Sequence, residues 1–108
     1  LRTNILQKNL YYAPAIAYLT IPKQSNLWSV YDLGAFAQTL ALAAKAKGID
    51  SMPAYELVKY PASVREIMGI PEDQTLAMGI GLGYGKDEYI NGYQAPRRDL
   101  PDFLTIKD

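Results

Sequence analysis

The sequence predicts a chain of mixed strands and helices that forms part of a domain rather than a whole one, and three observations carry that reading. Two stretches have strand character: the apolar run Ala15–Ile21, set between Pro14 and Pro22, and Leu76–Tyr84, where glycines alternate with apolar residues. Between them lies an Ala- and Leu-rich helix with so few polar positions that it must be covered on most sides. The last stretch, 85–108, is polar and reads as an extended arm. Two strands, two helices and an arm leave more apolar surface than a chain of 108 residues can cover.

Taken in order, residues 1–13 show no clean period and read as a loop or the tail of a helix. The run Ala15–Ile21 is short and almost wholly apolar, and the prolines beside it suit strand ends because they remove ladder donors there. The long helix follows. Ser25 or Ser29 can cap its start, Lys45 and Lys47 sit in its last turn, and Gly48 supplies the residue tolerant of positive φ beyond it. Its polar positions are only Asp32, Gln38, Thr39, Lys45 and Lys47. The segment Ile49–Glu56 is neither helical nor turn-like and reads as a short rigid loop. Here Pro53 lacks a donor, which leaves the N–H groups of Ala54, Tyr55 and Glu56 available to bond outward beside a flat apolar wall of Met52 and Pro53; on composition alone an ordinary connection is the better reading. A second helix, Pro61–Met68, has Pro in its first turn and Gly69 at its end, with Val64, Ile67 and Met68 on its apolar face. In the second strand the period of two puts Gly79, Gly81 and Gly83 on one flat face, against which the helix carrying Gly34 is expected to pack. The arm has two prolines and the pair Arg97–Arg98, and ends in Phe-Leu-Thr-Ile, a candidate terminal strand.

Composition narrows the chemistry. Eleven Lys and Arg balance eleven Asp and Glu, so the chain lacks the positive excess that a nucleic-acid binder needs. With no cysteine and no histidine it holds no disulfide, thiolate nucleophile, Ser-His-Asp triad or ordinary zinc site. Its most apolar window, 27–44, is interrupted by Asp32 and Gln38, which argues against a membrane span and for a soluble, cytoplasmic protein. Any reaction must therefore use carboxylates, Lys, Arg, Tyr, backbone donors or a borrowed cofactor.

Individual motifs are weaker. The run GIGLGYG fits neither G-x-G-x-x-G nor the Walker pattern, and its glycines fall inside a strand, so close packing is the better reading. Arg97–Arg98 is either a solvated pair or an anion clamp, since a guanidinium fork suits phosphate oxygens. The nine tyrosines suit amphipathic contact area. No carboxylate pair is spaced for acid–base work.

The order of these features carries more than any one of them. Pro14 to Leu19 leads into SNLWSVYDLGAFAQTLALAAKAKGIDSMPAYE; then come YPASVREIMGIPED, the strand LAMGIGLGY, and an arm ending PRRDLPDFLTI. This series resembles the C-terminal half of the flavin-dependent nitroreductase family over nearly the whole chain beyond about residue 12. The resemblance implies an α+β fold with a mainly antiparallel sheet flanked by helices, and a homodimer that binds FMN at its interface. The helix from about Trp28 to Lys47 would be the central interface helix, and the arm would wrap the partner and could add a strand to its sheet. Met52, Pro53 and Ala54 would line the flavin, the N–H of Tyr55 or Glu56 would point at N5, and Arg97 or Arg98 would meet the FMN phosphate. The implied reaction is ping-pong. NAD(P)H delivers hydride to flavin N5, and the reduced flavin passes electrons to a nitroaromatic, a quinone or a similar small acceptor. The protein mainly positions the cofactor, which explains an enzyme without Cys or His.

Family members are about twice as long. Residues 1–108 are accordingly expected to be the C-terminal part of a single nitroreductase-like domain. The N-terminal half, with its Arg-rich phosphate segment, lies outside them, and this stretch alone is expected to be inactive. The competing reading is a non-catalytic dimerising or scaffold module of the same fold that has lost its flavin site.

Overall fold

The computed structural model describes residues 2–107, with side chains from residue 5 onward. Helix α1 (Arg2–Lys8) leads into a tight 3-10 turn, Leu10–Tyr12. All three residues of that turn have positive φ, 51°, 58° and 55°, and none is glycine. Such a conformation costs of order 1 kcal/mol per residue. Bonds from Tyr12 N to Asn9 O (2.9 Å) and from Ala13 N to Leu10 O (3.2 Å) hold the reversal, which delivers the chain into strand β1 (Ala15–Pro22).

Helix α2 (Leu27–Ala46) is capped by Asn26, whose side-chain oxygen accepts from Trp28 N at 3.1 Å and Ser29 N at 3.3 Å. The expected serine caps are displaced: Ser25 precedes the cap and Ser29 lies inside the first turn. The other end behaves as the composition implies. Gly48 has φ +75°, its N–H donates to Lys45 O, and Ile49 N donates to Ala44 O, the paired bonds of a Schellman stop.

Strand β2 (Asp50–Ala54) replaces the expected rigid loop. A 3-10 turn, Tyr55–Val58, then leads to helix α3 (Pro61–Met68), which Gly69 ends at φ +63° as the sequence implies. Arg65 of α3 reaches over the following turn to donate to Pro71 O (3.2 Å) and Gln74 O (2.5 Å), which fixes the entry to strand β3 (Gln74–Gly83).

The three strands form one antiparallel sheet in the order β1-β3-β2, with a register shift between Leu19 and Thr20. Both β1 and β2 are edges. An edge strand is where a proline such as Pro53 is accommodated, since the side of the strand away from β3 has no ladder for its missing donor to break. The glycine face is covered, but not by α2. A Cβ built on Gly79 would lie 2.5 Å from Leu57 Cβ; on Gly81, 3.3 Å from Ala13 Cβ; and on Gly83, 2.8 Å from Pro14 Cδ. The close packing expected at these glycines is therefore present, supplied by the turn after β2 and by the lead into β1. Gly34 of α2 has nothing within 4 Å of where its Cβ would be. Helix α2 instead packs against the two edge strands, β1 and β2.

Leu19, Leu57 and Ile80 are the buried apolar residues among those described. The accessible surface is 9197 Å², against about 6,000 Å² for a closed monomer of this mass. The radius of gyration is 16.6 Å, where a compact chain of this length would have about 13 Å. The arm beyond Gly83 contributes to this: its described residues from Tyr84 onward are all exposed, in two short 3-10 turns, Tyr89–Gly92 and Leu100–Asp102. Within this chain residues 104–107 form no strand, because no neighbouring edge lies beside them to complete a ladder.

Candidate functional site

The free edge of β2 and the turn that follows it bring together five of the residues singled out in the sequence. Met52 pairs with Gly81 and Ala54 with Gly79, so both lie on the glycine face of the sheet; Pro53, paired with Ile80, points to the other side. Met52 and Pro53 therefore do not form a single wall. They flank the strand edge from two sides, because a strand alternates where a loop need not. Met52 is 39% exposed and Tyr55 is 71% exposed. The turn that starts at Tyr55 has no side-chain cap at Ala54. The first N–H groups of a helical turn have no acceptor within it, so those of Tyr55 and Glu56 are left for partners outside the turn.

Leu57, 2% exposed, anchors this turn by seating on Gly79. The Glu56 side chain is half-buried and accepts two bonds from Lys59 Nζ, at 3.0 and 3.4 Å. That carboxylate raises the Lys59 pKa above the ordinary lysine value, first through the hydrogen bond and then through its charge. Lys59 also lies over the Tyr60 ring, 5.7 Å from its centroid. Lys59 was not singled out in the sequence, although its i,i+3 spacing from Glu56 is a signal that could have found it. Glu56 therefore offers a backbone donor, while its carboxylate is occupied within the turn.

Asp50, at the start of β2, was also missed. One of its oxygens accepts from Lys45 Nζ at 2.6 Å and the other from Gly85 N at 2.8 Å. Lys45, through that bond, does most to hold the Asp50 carboxyl below its usual range, and the Gly85 amide adds to it.

Arg97 and Arg98 stand apart. Both are exposed in the arm, and Arg97 Nη1 turns back onto Ala95 O at 2.8 Å. Among the described residues neither arginine bonds to the 52–56 segment of its own chain. The concave features also lie elsewhere. A groove of about 520 Å³ runs between β1 and α2, lined by Tyr18, Leu19, Leu33 and Phe36 among others, and a hollow of about 500 Å³ lies within 87–94 of the arm. No group of three or more His, Cys, Asp or Glu residues could hold a metal among the described residues. No helix among them is long and apolar enough to cross a membrane.

Comparison with known proteins bears on this arrangement. The model of the Nitroreductase family matches residues 1–84, which takes in the first twelve residues and stops where the arm begins. Nitroreductase NfnB of Mycolicibacterium smegmatis is 40% identical over 93 residues, which make up 85% of this chain and 39% of that protein. A 4-nitrobenzoate reductase of Nocardioides is 28% identical over 94 residues, 87% of this chain and 38% of its own. Among solved structures, the FMN-dependent nitroreductase NfnB from Mycobacterium smegmatis in complex with NADPH superposes with a TM-score of 0.88 at 36% identity, covering 97% of this chain and 47% of that one. The chain thus spans less than half the length of each of these relatives.

Proposed function

Because the chain belongs to the nitroreductase family, we propose that it forms the C-terminal part of a homodimeric, FMN-dependent NAD(P)H oxidoreductase acting on nitroaromatics, quinones or similar small acceptors. The observation that carries this reading is the edge of β2, where an exposed Met52, the backbone N–H groups of Tyr55 and Glu56, and Pro53 on the opposite side meet along one free strand edge. A planar heterocycle needs that combination of apolar area and in-plane donors, so the residues present fit a flavin. They fit it edge-on rather than on one face of the sheet, because Met52 and Pro53 flank the edge from opposite sides.

In this reading Met52, Pro53 and Ala54 line the flavin, and the N–H of Tyr55 or Glu56 donates to its N5. Lys59 keeps the Glu56 carboxylate away from the ring by pairing with it, and Leu57 seated on Gly79 holds the turn still. Arg97 or Arg98 holds the phosphate, with the charge-assisted bidentate geometry that guanidinium groups allow. In its own chain the pair is not joined to 52–56, which suits an arm that serves the partner's site. A flavin held by these residues would supply the redox chemistry between NAD(P)H and the acceptor.

The test uses the full-length protein that carries this chain. Titration with FMN should give the yellow flavin absorbance and NADPH oxidation dependent on 4-nitrobenzoate. Replacing Arg97 and Arg98 together by Ala should weaken FMN binding by about 2 kcal/mol, roughly thirtyfold. A protein that stays colourless and consumes no NAD(P)H after FMN addition overturns the proposal.

A further inference from the structure

Asp50 bonds through its side chain to two parts of the chain that already lie beside β2: the end of α2, and the segment just past Gly83, its partner in the β3 ladder. It opens β2, its Oδ1 accepts from Lys45 in the last turn of α2, and its Oδ2 accepts from the N–H of Gly85, 35 residues away at the root of the arm. Gly85 has φ outside the left-handed region, so backbone conformation does not demand glycine there. A Cβ at Gly85 would stand 3.0 Å from Asp50 Oδ2, so a side chain there would require the carboxylate tip to shift by a few tenths of an ångström, and glycine lets it receive the amide without that shift. Beyond that point every described arm residue is exposed, so its direction of departure depends on how its first residues are held.

We infer that Asp50 is a positioning residue that latches the root of the C-terminal arm to the strand carrying Met52, Pro53 and Ala54. The latch sets the direction in which Arg97 and Arg98 are carried away from the body. Its consequence for FMN rests on the flavin reading above; the latch itself does not. Lys45 plays the lesser part, since an exposed ion pair is weak and the Gly85 bond survives without it.

The experiment compares hydrogen exchange along 86–104 in the FMN-free, full-length protein, together with FMN affinity. Asp50→Ala should speed exchange several-fold across the arm, not at Gly85 alone. Asp50→Asn, which keeps an oxygen for the Gly85 amide, should restore most of the protection, and Lys45→Ala should leave it close to wild type. FMN affinity should fall about tenfold in Asp50→Ala, in line with the loss of one charge-assisted phosphate contact. In the Arg97→Ala, Arg98→Ala background, Asp50→Ala should cost FMN little more, because the two changes then act through one contact. Wild-type arm exchange in Asp50→Ala overturns the inference, as does a failure of Asp50→Asn to restore protection. Faster arm exchange with unchanged FMN affinity upholds the latch and removes the arginine pair from the flavin site, so the two readings fail separately. Should Asp50→Ala not fold, Gly85→Pro removes the donor beyond the end of β3 and also crowds the Asp50 carboxylate, and it should speed arm exchange in the same way; wild-type arm exchange in that variant overturns the inference.

Discussion

At Gly79 the local packing leaves no room for a side chain. The nearest atom to an added Cβ is Leu57 Cβ at 2.5 Å, which lies next to the backbone and cannot swing aside. Gly79→Ala must push the Tyr55–Val58 turn off the sheet, at a cost of about 1–3 kcal/mol for overpacking. Denaturant melts should register that loss. The same displacement moves the backbone N–H groups of Tyr55 and Glu56, so flavin affinity should fall in the variant. Asp50 gives a second expectation, this one in pH. Its folded pKa is depressed, chiefly by Lys45. The stabilisation is therefore present above the unfolded carboxylate value of about 3.9 and is lost as pH falls through the lower folded value. An NMR titration of the Asp50 carboxyl carbon should show a midpoint below the ordinary aspartate value, and Lys45→Ala should raise it. A midpoint unmoved by Lys45→Ala would contradict the pairing.

Among the elements, those with chemical punctuation were legible in the sequence, and those set by tertiary contact were not. Helix α3 begins and ends where Pro61 and Gly69 place it, and α2 stops at Gly48, because a fixed φ and a freely positive φ act locally. The start of α2 was legible only as a choice among nearby polar residues. Asn26 won over Ser25 and Ser29 because its oxygen reaches two N–H groups at once. Strand β2 was hidden because Asp50, Ser51 and Pro53 all disfavour strands; it forms because β3 offers a partner edge. The reversal at Leu10–Tyr12 was hidden too, since no glycine marks its three positive φ angles. For the candidate site the division is similar. The stretch 52–56 was legible as a donor-bearing apolar segment, but its alternation about the strand edge, and the engagement of Glu56 by Lys59, depend on the sheet and the turn. The meeting of Asp50 with Gly85 spans 35 residues and no local pattern announces it.

The whole molecule has an accessible surface about 3,000 Å² larger than a closed monomer of its mass should have, with large apolar side chains exposed both in the arm and on α2. That helix turns Ser29, Leu33, Ala37, Leu40, Ala41 and Ala44 inward at helical spacing, yet leaves Trp28 77%, Tyr31 75%, Phe36 60% and Leu42 63% exposed. Chain folding alone thus covers about half of the extended surface, against the two-thirds normal for a domain of this length. If α2 is the centre of a homodimer interface, a charge placed on its outer face must be desolvated in the dimer and is harmless in the monomer. Phe36→Asp in the full-length protein should therefore shift the sedimentation coefficient from dimer to monomer, while Gln38→Asp, at a position already polar, should not. An interface residue that only stabilised the monomer fold would lower the melting temperature equally at every protein concentration. Loss of dimer makes the deficit shrink as concentration rises. A Phe36→Asp protein that sediments as wild type would place the covering surface on something other than a second copy of this chain.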